Sequence, residues 1–163
     1  MRRARFAAIP AAAAAAVLAF PAAAQAAVIT QPFAADSGDS CRYGSTDGTL
    51  GWQYGSASPL PTAGVAVSGK LADRPLPTDP AATCGDDGYS STVTFVAYAG
   101  NVEVGRQSRT ADNTTTSFSF VLGAGSNSTG VNRVVVQVCR NPVVTLPPSY
   151  CGKAVTYLAP PVA

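Results

Sequence analysis

Apolar side chains recur at every second position in six stretches of this chain. Leu50, Trp52 and Tyr54 alternate with Gly51 and Gln53, and Val65, Val67 and Leu71 keep the same parity with Gly69 in step. Val93, Phe95, Ala97 and Ala99 share one face, as do Val102 and Val104, then Phe118, Phe120 and Leu122, then Val134, Val136 and Val138. A period of two is the signature of a strand with one buried face. Beyond the apolar run near the N-terminus, no stretch carries a helical period of useful length. The pattern predicts an all-β protein, an immunoglobulin-like antiparallel β-sandwich of about seven short strands with two disulfides. A small Greek-key barrel is the other way to bury such faces.

Turn signals divide the strands. Gly100-Asn101 is a two-residue hairpin dipeptide that pairs Ala99 with Val102 and Ala97 with Val104, so turn length and side-chain parity agree. Arg106 then falls opposite Phe95, which predicts that the strand bulges or leaves the core there. Ser45-Thr46-Asp47-Gly48 reads as a turn, residues 28–40 as a polar lead, and residues 73–88 as a long loop. Arg140-Asn141-Pro142 reads as the end of the last core strand, and Pro147-Pro148 keeps the following connection extended.

Residues 1–27 read as a secretory signal peptide and residues 28–163 as a single β-sandwich domain. Arg2, Arg3 and Arg5 precede an apolar run over residues 7–20, and small residues up to Ala27 fit a signal-peptidase site. That run is shorter than a spanning helix requires. Removing it also takes three of the eleven basic residues, leaving eight against nine acidic ones, a net charge of −1. No basic cluster remains to track phosphates or anionic lipid, so nucleic acid and membrane are excluded as expected partners after signal removal.

Cys41, Cys84, Cys139 and Cys151 all lie in the exported part. An even count in an oxidising compartment reads as disulfides, and the spacings lack the close pairs of a structural zinc site. Of three possible connectivities, nearest-neighbour closure favours Cys41–Cys84 and Cys139–Cys151. Closing the second, shorter loop is worth roughly 3 kcal/mol in the chain-entropy model.

The chain has no histidine, which removes the Ser-His-Asp and Cys-His nucleophile pairs. Glu103 is the single glutamate and faces Tyr98 across the hairpin; Asp86-Asp87 are adjacent and point apart, unlike a glycosidase pair. Asp36 and Asp39 lack calcium-loop spacing and read as solvated. No catalytic residue, cofactor or metal site is predicted. Instead, residues 140–150 form a short loop closed by Cys139–Cys151 and stiffened by Pro142, Pro147 and Pro148. Val143, Val144, Leu146 and Tyr150 on that loop are the candidate binding residues, either presented to a partner or folded back on the sheet.

The basic, alanine-rich leader, the Cys-Arg-Tyr-Gly stretch at 41–44 and the VCR…YCGKAVTY ending resemble small secreted disulfide-containing β-sandwich proteins of high-GC Gram-positive bacteria, a group without an assigned activity. The secreted subtilisin inhibitors and the neocarzinostatin-type carriers are of similar size, but their short disulfide spacings differ from these, so no functional residue carries over. The expectation is therefore a secreted, monomeric, non-catalytic module for an extracellular protein or glycan. The second reading is a proteinase inhibitor presenting the disulfide-closed loop.

Overall fold

The computed structural model describes residues 27–55, 64–76, 84–123, 130–144 and 147–161. These residues form nine strands and no helix: β1 (Ala27–Asp36), β2 (Gly44–Tyr54), β3 (Val65–Asp73), β4 (Tyr89–Ala99), β5 (Val102–Ala111), β6 (Thr115–Leu122), β7 (Arg133–Pro142), β8 (Tyr150–Cys151) and β9 (Val155–Leu158). No described helix is long and apolar enough to cross a membrane. The strands make two antiparallel sheets, ordered β1-β2-β3-β6 and β5-β4-β7-β8, with β9 also paired to β7. The β4–β5 hairpin lies in one sheet between β3 and β6 of the other, so the chain crosses between the sheets three times. Nine strands stand against the expected seven or so: β1 is not among those expected, and the chain from Tyr150 onward forms two short strands, β8 and β9.

The alternating faces meet between the sheets. Leu50, Trp52, Val65, Leu71, Val93, Phe95, Val134, Val136 and Val138 are buried. Phe95 of β4 meets Phe33 of β1 and Phe118 of β6 edge-on, each with ring centroids 5.3 Å apart. Aromatic contacts across the sheets thus weld them at mid-height.

Five readings of the sequence change. Residues 28–36 are not a lead but the edge strand β1, in which only Phe33 and Ala35 are fully buried and Ile29 packs half-buried against the core. An edge strand buries so few residues that its period is hard to see. Ser45–Gly48 is strand rather than turn: Gly48 pairs with Phe33 on one side and Gly69 on the other. A Cβ on Gly48 would sit 2.6 Å from the Gly69 Cα and 2.8 Å from the Phe33 ring, so the missing side chains make the slot that the ring fills. In the β4–β5 hairpin, Gly100 takes a positive φ of 61° as a tight turn requires, but the register shifts beyond Tyr98–Glu103 and Ala97 faces Gly105 instead of Val104. This is the expected bulge, and it places Arg106 opposite Val96 rather than Phe95. Finally, β3 continues through Asp73 and β7 through Pro142, with both Asp73 and Arg140 wholly buried.

Candidate functional site

Both disulfides, Cys41–Cys84 and Cys139–Cys151, form as expected, leaving no free cysteine among the described residues. Cys139 and Cys151 are direct cross-strand partners of β7 and β8. The first bond ties the turn after β1 to the segment before β4; the second ties the end of β7 to β8. Four chain segments are thereby gathered at one end of the sandwich, and two disulfides suit an oxidising, extracellular setting.

Beneath them lies a buried charged network that the sequence reading missed. Arg140 follows Val134, Val136 and Val138 on the inward face of β7, and Asp73 follows Val65, Val67 and Leu71 on that of β3. The Arg140 guanidinium pairs with Asp73, both side chains being 0% exposed. It also donates to Ser91 Oγ at 2.7 Å, to Asp87 Oδ1 at 2.6 Å and to the Tyr89 carbonyl at 3.2 Å. Ser91 donates to Asp73 Oδ1, and the Asn113 amide donates to Asp73 Oδ2 at 2.8 Å. Gly44 makes room for this: a Cβ there would lie 2.4 Å from Ser91 Oγ. Arginine is the cation suited to such a site, because its planar fork serves several acceptors at once. The signal was present in the sequence as parity, two opposite charges each in step with an apolar series.

Tyrosines cover the network. The Arg140 Cζ lies 5.1 Å from the Tyr43 ring centroid and 5.9 Å from that of Tyr89. Tyr89 and Tyr150 meet edge-to-face at 5.6 Å. Tyr43 donates to the Gly85 carbonyl at 3.0 Å, and Tyr89 to the Pro148 carbonyl at 3.4 Å. Asp39 accepts from Ser37 Oγ and, at 3.0 Å, from the Tyr43 amide. Burial raises the Asp39 carboxyl, but these donors and the charge of Arg140 outweigh it and bring its pKa below the ordinary value. Burial raises the Tyr150 phenol, with Asp39 adding to the shift and Arg140 opposing it. Asp36 is engaged by Arg42 at 2.9 Å and Glu103 by Arg106 at 2.7 Å, so these carboxylates are held by neighbouring arginines.

The structure places the candidate binding residues on the rim of the same end. Val143 and Val144 are 61% and 68% exposed, and Tyr150 is 37% exposed. Leu146 lies outside the described residues. The Val143 amide donates to the Gly88 carbonyl at 2.9 Å, which pins the loop base to the segment carrying Asp87. Val143 and Val144 thus project from a fixed base instead of folding back on the sheet, and Tyr150 joins them to the tyrosine cover. The arrangement supplies apolar contact area, phenol hydroxyls and carboxylates on stapled backbone. Among the described residues, no three His, Cys, Asp or Glu side chains group as metal ligands would.

Compared with known proteins, the chain matches no family model, no curated protein and no solved structure.

Proposed function

We propose that this is a secreted, non-catalytic β-sandwich that binds an extracellular protein or glycan through its disulfide-tied end. The observation that carries the reading is the exposure of Val143 and Val144 on a loop whose base is tied by Cys139–Cys151 and by the Gly88 carbonyl. Neighbouring aliphatic side chains held in water on a preorganised loop lose little conformational freedom on binding. The buried Arg140 network stiffens the floor beneath, and Tyr89 and Tyr150 provide amphipathic contact area of the kind binding surfaces favour.

A proteinase inhibitor is the second reading, favoured by the same loop being short, proline-flanked and disulfide-closed. The test is retention of the secreted protein on immobilised glycans and on a panel of extracellular serine proteinases, with Val143→Ser/Val144→Ser beside it. The double variant should keep its stability within about 0.5 kcal/mol, as exposed substitutions do, and lose retention. Unchanged retention by the variant, or turnover of any substrate by the wild type, would remove this proposal. Inhibition of a proteinase by the wild type alone would select the second reading.

A further inference from the structure

Sheet edges display unpaired backbone groups, and folded proteins blunt them with proline, bulges, charge, shortness or a covering side chain. Three of the four edges of this sandwich are treated in that way. On β1, the Tyr157 hydroxyl accepts from the Ala34 amide and donates to the Ala34 carbonyl, both at 2.9 Å. Those groups therefore point away from β2, and so do those of Pro32, which has no N–H to offer. On β5, the register shift beside Val104 breaks the ladder, and Arg106, Arg109 and Glu103 supply charge. The last edge consists of β8 and β9, only two and four residues long.

The exception is β6, TTSFSFVL, with eight residues and no proline, glycine or charge. The Asp73 amide donates to the Thr114 carbonyl at 2.8 Å, which fixes the parity: Thr116, Phe118, Phe120 and Leu122 bond toward β3. The backbones of Thr115, Ser117, Ser119 and Val121 consequently face outward, where no strand pairs with them among the described residues. Strand β5 approaches at the far end of β6, where a Cβ on Gly105 would lie 2.7 Å from the Gly123 nitrogen, and its Arg109 lies over the Phe120 ring. The side chains of Thr115, Ser117, Ser119 and Val121 are exposed, Val121 by 44%.

We infer that β6 is an open pairing edge whose partner is β6 of a second copy of this chain, antiparallel about a twofold axis at Phe118. That register places Ser117 opposite Ser119 of the second copy, twice over, and Thr115 opposite Val121. The pairing repeats a device the fold uses internally, since Thr92 meets Thr110 at 3.0 Å, Thr94 meets Ser108 at 3.0 Å and Thr49 meets Ser68 at 3.1 Å across neighbouring strands. It covers the exposed Val121 with a threonine, and with no charged side chain on β6 it sets no like charges opposite each other. The closed dimer has a continuous eight-stranded sheet and uses up both open edges.

The test is the mass of the secreted protein by light scattering from micromolar to millimolar concentration, with two variants. Wild type should move toward twice the monomer mass. Ser117→Lys/Ser119→Lys, which opposes lysine to lysine, should stay monomeric at concentrations where wild type is dimeric. Ser117→Glu/Ser119→Lys opposes glutamate to lysine in this register and should restore the dimer. All four substitutions sit on the solvent face, so near-ultraviolet spectra and melting should match wild type. On the wild type itself, the amides of Ser117, Ser119 and Val121 should gain exchange protection with concentration while those of Phe118 and Phe120 do not change. A monomer throughout the range, whether or not a foreign peptide adds to the edge, would overturn the inference. So would a dimer indifferent to the two lysines, or a glutamate–lysine variant that stays monomeric.

Discussion

The two ends of the sandwich close the same core by opposite means. Val134 and Arg140 stand six residues apart on the same inward face of β7, and neither has measurable exposure. Around Val134 the core is sealed by Trp52, Tyr54, Leu122 and Val131, all buried, with the Tyr54 hydroxyl reaching the Pro160 carbonyl. Around Arg140 it is sealed by carboxylates, a serine, tyrosine rings and two disulfides. Apolar closure needs only volume and shape, whereas ionic closure needs every partner in place. The charged end is accordingly the one with cross-linked loops, and it is also the end that carries Val143 and Val144. Rigidity there is bought with specific contacts that a plain apolar plug would not require.

The largest effect should come from removing one member of the ion pair. Arg140→Met leaves Asp73 buried without its cation and should cost about 3–5 kcal/mol in urea unfolding, whereas Arg140→Met with Asp73→Leu should recover much of that loss. A cost below about 1 kcal/mol for the single change would show that water enters this end and that the contrast between the ends is false. Next in size, Val134→Ala at the apolar end should cost about 2 kcal/mol, the range for deleting buried methyl groups. Adding a second substitution near Val134 should not recover it, because no orphaned charge is left to relieve. If Val134→Ala proved the more damaging of the two, the ranking of the ends would be reversed.

The smallest effect is a pH dependence peculiar to the charged end. The folded Asp39 carboxyl has a lowered pKa, so its contribution is present above the unfolded value of about 3.9 and is lost as pH falls through the folded value. Asp39→Asn should therefore be less stable than wild type at pH 7, by less than about 1 kcal/mol because the group is partly solvated. The two proteins should converge near pH 2, a comparison thermal melts can make. A difference that grows on acidification would mean that the Ser37 and Tyr43 contacts do not favour the ionised form.

The legible parts of the sequence were those with local periodicity. The strands carrying Leu50–Trp52–Tyr54, Val65–Val67–Leu71, Phe118–Phe120–Leu122 and Val134–Val136–Val138 all bury the faces their alternation marked. The existence of two disulfides followed from the cysteine count, their pairing being one favoured choice among three, and the misfit of Arg106 with the hairpin register signalled a bulge or a departure from the core. Strand β1 was obscured because its inward positions, Ile29, Gln31, Phe33 and Ala35, include a glutamine and only two fully buried residues. Gly48 looked like a turn because glycine marks both turns and the close approach of two strands, and nothing local separates the two. The valines at 143 and 144 were legible as loop residues, but whether they faced water depended on where the loop base was anchored.

Composition and alternation by themselves determined an all-β chain, the inward sets of its long strands, the cysteine staples and the absence of histidine chemistry. Those properties depend on each residue and its near neighbours, and a period of two survives whatever the sheets do next. Tertiary structure alone decided the partners. Arg140 and Asp73 are 67 positions apart in sequence and meet only because β7 and β3 lie on facing sheets and end at the same height. The Phe33 ring over Gly48 and Gly69, and the Tyr157 hydroxyl on the Ala34 edge, likewise join segments distant in the chain. A buried charge or a mid-strand glycine is unfavourable judged locally and becomes admissible once a distant residue compensates it; that compensation is a property of the folded sandwich.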